Sequence, residues 1–125
     1  MNILIKKVVI SSIILIILDG IFIYTNMRAF EDQVISVQRV IMQVKPLGAI
    51  LCYMFLIIGL QYFIINKNRP ILDAFIFGLV VYGVYDTTNY TMFKKWNPYL
   101  AMMDTLWGGT LMATTTYFTY LLLRL

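Results

Sequence analysis

The sequence contains no histidine, one cysteine and few charged residues. Of its 125 residues, 13% are charged and 61% are hydrophobic, whereas a soluble domain carries about 25% charged and about 45–50% apolar residues. The polar residues are therefore too few to cover a water-facing surface. The composition predicts an integral membrane protein, since a transmembrane helix needs about 20 apolar residues.

The missing residue types also exclude several kinds of chemistry. Without histidine, the sequence offers no Ser–His–Asp triad, no His-ligated zinc or haem and no histidine box for a di-iron centre. Its single cysteine, Cys52, excludes an intramolecular disulfide and a thiolate metal cluster. We therefore expect no cofactor and predict no metal site. The net charge of +4 suits anionic lipid head groups, and no basic tract suggests a nucleic-acid partner.

Four long apolar segments follow one another along the chain. The predicted spans cover about 5–27, 46–65, 71–93 and 98–123. Pro46 and Pro98 suit the first positions of the second and fourth helices, and Asn97 is a favourable N-cap. Because the connections between spans are short, the sequence predicts a single all-α transmembrane domain over 1–125, folded as a four-helix up-down bundle.

An amphipathic segment separates the first span from the second. Its apolar residues recur at spacings of three and four, at Phe30, Val34, Val37, Ile41 and Val44. The pattern predicts a helix over about 29–44 that lies on the membrane surface. The alternative is a water-exposed extension of the following helix.

The basic residues give a weak indication of orientation. Lysine and arginine divide equally between the two predicted sides of the membrane, so the total does not decide the topology. Lys6 and Lys7 precede the first helix, and this position favours a cytoplasmic N-terminus.

Three of the six acidic residues lie inside apolar segments. Asp19, Asp86 and Asp104 are each six or seven residues from the ends of their helices that meet one membrane face. The helical rise therefore places all three about 9–11 Å below that face. Tyr53, seven residues past Pro46, reaches the same level. A carboxylate at a helix centre costs about 2.5–3.5 kcal/mol, so these side chains are expected to face the bundle interior.

Helical spacing brings further polar side chains to this level. The sequence predicts a pocket near one membrane face that is lined by Asp19, Tyr53, Tyr82, Tyr85, Asp86, Asn89, Asp104 and Trp107. Gly78, Gly108 and Gly109 are expected to let the third and fourth helices pack closely. The alternative is that the polar groups only join helices, at about 0.6 kcal/mol per hydrogen bond.

These segments resemble a known family. Gly78–Asn89 resembles the Gly-x-x-x-Tyr-x-x-Tyr-Asp-x-Thr-Asn signature, and Asp104–Gly108 resembles the Asp-x-x-Trp-Gly signature, of the small bacterial and viral membrane proteins grouped as domain-of-unknown-function family 2177. Leu18–Phe22 is similar to the family's first-helix segment, with Phe22 where a tryptophan is usual. The resemblance spans nearly the whole chain and implies a four-helix membrane protein. It implies no particular activity.

The predicted pocket favours one class of function over two others. We expect it to bind or transport a proton, a cation or a small cationic solute, because carboxylates bind such charges and aromatic faces add about 0.5–2 kcal/mol. One alternative is a non-enzymatic assembly protein, which the surface helix and the Gly109–Ala113 pair would support.

The other alternative is a membrane-embedded enzyme that acts on lipid, with paired carboxylates as acid and base or as ligands of a divalent metal. The absence of histidine and of an activated nucleophile disfavours an enzyme. The predicted partners are the lipid bilayer, a small cation or solute and a second copy of the chain in a homodimer, since four helices alone offer little room for a pathway.

Overall fold

The structure is all-helical, as the sequence predicts. The computed structural model describes residues 2–38, 45–93 and 95–124. Within these residues the helices, in chain order, are α1 (Ile3–Thr25), α2 (Met27–Gln38), α3 (Pro46–Leu60), α4 (Ile71–Met92) and α5 (Pro98–Leu123). A π-helical turn, Gln61–Ile65, continues α3.

Three helices of the described chain are long and apolar enough to cross a membrane. They are α1, α4 and the continuous segment Pro46–Ile65. The fourth predicted span corresponds to α5, which has 26 residues and a length of about 39 Å. That length exceeds the hydrocarbon core of about 30 Å, but α5 is less apolar than the other three because it contains Asp104 and several threonines.

Local signals in the sequence account for where α3 and α5 begin. Pro46 and Pro98 occupy the first turns of these helices, where a missing backbone N–H breaks no helical hydrogen bond. The Asn97 side chain caps α5, because its Oδ1 accepts a hydrogen bond of 2.9 Å from the backbone N–H of Tyr99. The position of Asn97 therefore fixes the start of the helix that carries Asp104.

The most extensive helix pair is formed by α4 and α5. A Cβ atom added to Gly78 would clash with the backbone carbonyl of Gly108, so the two backbones are too close for any side chain there. The Tyr82 ring covers Gly108, and a Cβ added to Gly108 would clash with the Cγ atom of that ring. Gly109 also faces side chains of α4. Its neighbours there are Leu79 and Phe75, so Gly109 lies in the contact between the two helices.

Hydrogen bonds join α1 to the Pro46–Ile65 segment at two levels. The Tyr53 hydroxyl donates to Asp19 Oδ2 at 2.5 Å, and Gln61 Nε2 donates to Ser11 Oγ at 2.5 Å. The two pairs are eight residues apart on both segments, so about 12 Å separates them along the helix axes. Between them the core is buried and apolar, and it includes Leu15, Leu56 and Leu111.

The helix α2 follows α1 in the chain and makes contacts with the end of α1 and with the start of α5. Its Gln33 is buried, and Gln33 Oε1 accepts a hydrogen bond of 2.6 Å from the backbone N–H of Asn97. The Phe30 ring packs edge-on against Phe22 of α1, with 6.0 Å between ring centroids. The predicted amphipathic helix extends further than α2, and its last positions, 39–44, lie outside the described residues.

Candidate functional site

Asp19 joins three helices at one level of the structure. Its side chain is 6% exposed. Oδ2 accepts the hydrogen bond from the Tyr53 hydroxyl, and Oδ1 accepts one of 2.9 Å from the indole Nε1–H of Trp107. Since each carboxylate oxygen has a donor, this group of Asp19, Tyr53 and Trp107, called here the Asp19 site, compensates for the cost of burying the charge.

Phe22 completes the surroundings of the Asp19 site. Its ring stacks on Trp107 with 4.7 Å between centroids and 9° between planes. Phe22 lies three residues after Asp19 on α1, so one face of the helix presents both the carboxylate and the ring. The stack holds the indole in the orientation in which its N–H meets Asp19.

A second carboxylate site lies between α4 and α5. Asp86 and Asp104 are 2% and 8% exposed, and their carboxyl groups lie close enough to interact with each other. Thr105 Oγ1 donates a hydrogen bond of 3.1 Å to Asp86 Oδ2. We call Asp86 and Asp104 the acid pair. Sequence reasoning missed Thr105, because threonines in membrane helices commonly bond their own backbone.

Tyr82, another residue of the predicted pocket, lies over Gly108 where α4 packs on α5. Within the described residues, no three acidic or cysteine side chains form a group that could hold a metal ion. Asp19 bonds with Tyr53 and Trp107, Asp86 bonds with Thr105, and no hydrogen bond within the described residues joins Asp19 to the acid pair.

The remaining two residues of the predicted pocket, Tyr85 and Asn89, also lie on α4. Tyr85 is 58% exposed, and its ring meets the edge of Trp96 at 6.4 Å between centroids. Asn89 is half-buried, and its backbone carbonyl accepts a hydrogen bond of 2.8 Å from the Phe93 N–H at the end of the helix. Neither residue contributes a hydrogen bond to the Asp19 site.

The charges around the acid pair are of one sign in the part of the chain that the structure describes. The ion pair found there joins Arg69 Nη2 to Asp73 Oδ2 at 2.6 Å, at the start of α4. It lies about four turns from Asp86 along the helix. Within the described residues, the three buried carboxylates thus have no basic partner.

One groove in the described structure is lined in part by Asp86 of the acid pair, and another lies near the start of α5. One, of about 330 Å³, runs between α4 and α5 and is lined by Asp86, Thr87, Tyr90, Pro98, Ala101, Met102, Thr105 and Leu106. The other, of about 570 Å³, lies between α2 and the start of α5 and is lined by Asn26, Ala29, Asp32, Gln33, Lys95, Asn97, Tyr99, Leu100 and Met103. The first groove opens on the outer surface of α4 and α5 and extends to the buried carboxylate of Asp86.

The described chain contains three helices that are long and apolar enough to span a membrane, and it buries carboxylates between its helices. These features define the class of the protein as an integral helical membrane protein. A family model described as "Predicted membrane protein (DUF2177)" matches residues 4–121. The chain belongs to this family, which confirms the resemblance seen in its α4 and α5 motifs. Neither the curated proteins nor the solved structures gave a match to the chain.

Proposed function

We propose that this membrane protein binds and transports a proton, or a small cation in its place, at the acid pair. The observation that carries the proposal is the close approach of Asp86 and Asp104, both more than nine-tenths buried, without a basic partner in the described chain. Two negative charges so close in a medium of low dielectric constant repel each other strongly. A shared proton or a bound cation removes that repulsion.

The Asp19 site has a different role in this proposal. Both oxygens of Asp19 already accept hydrogen bonds, from Tyr53 and from Trp107. The site therefore has less capacity for a further ligand than the acid pair. We assign it a positioning role, in which it holds α1 and α3 against the helix that carries Asp104.

The proposal places four helices across the bilayer in one up-down domain, namely α1, α3, α4 and α5, with α2 on the membrane surface and the N-terminus in the cytoplasm. A length of about 39 Å supports α5 as the fourth span. Its outer side chains are also apolar and exposed, including Met102, Leu106, Phe118 and Leu122. In a bilayer these side chains would contact lipid.

Infrared difference spectroscopy of the purified protein in lipid vesicles tests whether the acid pair holds a proton. The wild-type protein should show the carbonyl-stretch band of a protonated carboxyl, and the band should disappear as the pH is raised. Asp104→Asn should abolish the band. Asp73→Asn should retain it, because Asp73 lies outside the pair and is bonded to Arg69. A band of wild-type size in both Asp86→Asn and Asp104→Asn would contradict the proposal.

Transport is tested in vesicles that enclose a pH-sensitive dye. A membrane potential imposed across the bilayer should drive proton uptake into vesicles that contain the wild-type protein or Asp73→Asn. Asp86→Asn and Asp104→Asn should reduce uptake to the level of protein-free vesicles, while circular dichroism shows that both variants remain helical. Equal uptake in wild type and in both pair variants would overturn the assignment.

A further inference from the structure

We infer that the groove between α4 and α5 is a binding site for an amphiphilic monocation, a substituted ammonium ion with an apolar body that approaches from the lipid. The inference rests on the proposed function of the acid pair and names the class of solute that could reach it. The groove has a volume of about 330 Å³, which is within the range of small-molecule sites. Asp86 is the charged residue in its lining.

The lining combines apolar walls with one carboxylate. Met102 and Leu106 contribute aliphatic and thioether surface, and Ala101 contributes only a methyl group. The Asp86 side chain is almost completely buried and forms part of the lining. This combination matches a solute whose positive charge pairs with a carboxylate and whose remaining atoms avoid water.

A small inorganic cation, which the acid pair itself could hold, would gain nothing from the apolar part of the groove. Among the side chains of the lining, only Asp86, Thr87, Tyr90 and Thr105 carry oxygen atoms that could replace its hydration shell. An alkylated ammonium ion loses less on leaving water, and the Tyr90 ring of the lining offers it cation–π attraction.

The position of the groove also indicates the direction of approach. Its lining comes from α4 and from Pro98 and the following turns of α5, with no contribution from α1 or α3. Tyr90 and Met102 are both exposed on the outer surface. In a bilayer this surface faces lipid and interfacial head groups, so the solute would enter sideways rather than through the centre of the bundle.

Equilibrium binding of radiolabelled benzyltrimethylammonium to the protein in phosphatidylcholine vesicles tests the inference. Its uncharged carbon isostere, neopentylbenzene, serves as the control ligand. The cation should bind to the wild-type protein and the isostere should bind at least tenfold more weakly. Asp86→Asn should weaken cation binding by a factor of about ten or more, since a lost charge contact of about 1.4 kcal/mol corresponds to tenfold.

Substitution within the groove separates this site from non-specific partition into lipid. Ala101→Leu and Ala101→Phe should weaken cation binding progressively, because the larger side chains fill the groove. Val80→Phe should bind like the wild type, since Val80 is an exposed α4 residue outside the lining. Circular dichroism and detergent unfolding would show that each variant is folded.

The outcomes distinguish this inference from the proposed function. Equal binding of the cation and its isostere, or unchanged binding in both Ala101 variants, would overturn the groove assignment. So would a wild-type protein that shows the pH-dependent carboxyl band but does not bind benzyltrimethylammonium, although the proton-binding proposal would then stand. If that band is also missing, both proposals fall.

Discussion

The indole Nε1–H of Trp107 donates a hydrogen bond of 2.9 Å to Oδ1 of Asp19 and so joins α5 to α1. The other oxygen of the same carboxylate accepts a bond from Tyr53 of α3. One buried charge therefore fixes the relative positions of three helices. A charge buried in this way stabilises the structure only while its donors are present, since an unpaired carboxylate oxygen carries the full cost of desolvation.

Removing either donor to Asp19 should destabilise the protein. We expect Tyr53→Phe and Trp107→Phe each to lower the free energy of unfolding by about 1–2 kcal/mol, because hydrogen bonds to charged groups contribute about 1.5–3 kcal/mol in soluble proteins and somewhat less in membranes. Reversible SDS-induced unfolding in detergent micelles would measure the change.

The matched control for Tyr53→Phe is Tyr117→Phe, which removes a hydroxyl from an exposed tyrosine of α5. The control should unfold like the wild type. If Tyr53→Phe also has no effect, the Asp19 carboxylate is not a significant link between α1 and α3.

The contact between Gly78 and Gly108 predicts that Gly78 does not tolerate a side chain, whereas Gly20, which lies outside the contact, should tolerate one. Gly78→Ala should destabilise the protein by about 1–3 kcal/mol or more, because its Cβ would clash with the Gly108 carbonyl oxygen and the helices would have to separate. Gly20→Ala should be neutral or stabilising by up to about 1 kcal/mol, since nothing beyond its own chain neighbours and the nearby backbone of α1 lies within 4 Å of an added Cβ.

Both glycine variants can be compared by the same unfolding titration, together with the intensity of the near-ultraviolet circular dichroism of the aromatic residues. Equal stability in the two variants would show that α4 and α5 do not pack as closely as the structure places them.

The sequence can predict which residues of different helices lie at the same level, because helix geometry converts residue number into distance along the helix axis. Counting residues from the predicted helix ends places Asp19 and Tyr53 at one level, and the structure joins them by a hydrogen bond. The same counting placed Asp86 and Asp104 together, and their carboxyl groups are within reach of each other. Such counting needs only the rise per residue and the position at which each helix leaves the membrane.

Other features of the site could not be predicted from the sequence, because they depend on which helices are neighbours and on how each helix is rotated. The position of the Tyr82 ring over Gly108, for example, depends on how α4 and α5 are rotated against each other. The bond from Thr105 to Asp86 and the burial of Gln33 likewise depend on helix rotation, which residue spacing leaves open. The π-helical turn that begins at Gln61 has no local signature in an apolar run.

The stack between Phe22 and Trp107 predicts that the aromatic character of residue 22 matters more than its identity. Phe22→Leu should lower the free energy of unfolding by about 0.5–1.5 kcal/mol, the usual contribution of an aromatic pair beyond its buried area. Phe22→Trp should retain the stack and lose less. The exposed Phe55→Leu controls for loss of a ring at the lipid-facing surface. Equal losses for the leucine and tryptophan variants would argue that stacking on Trp107 contributes little.

The hydrogen bond from the Asn97 backbone to Gln33 predicts that α2 protects the start of α5. Gln33→Leu should remove the acceptor, leave the Asn97 N–H without its partner and speed its hydrogen exchange by roughly tenfold, since a neutral hydrogen bond contributes about 0.5–1.5 kcal/mol. Gln33→Glu keeps an oxygen acceptor at the same position, so exchange at Asn97 should stay slow. Amide exchange measured by NMR in detergent micelles would separate the two variants. If Leu and Glu at this position give the same exchange rate, α2 does not hold the N-terminus of α5 through Gln33.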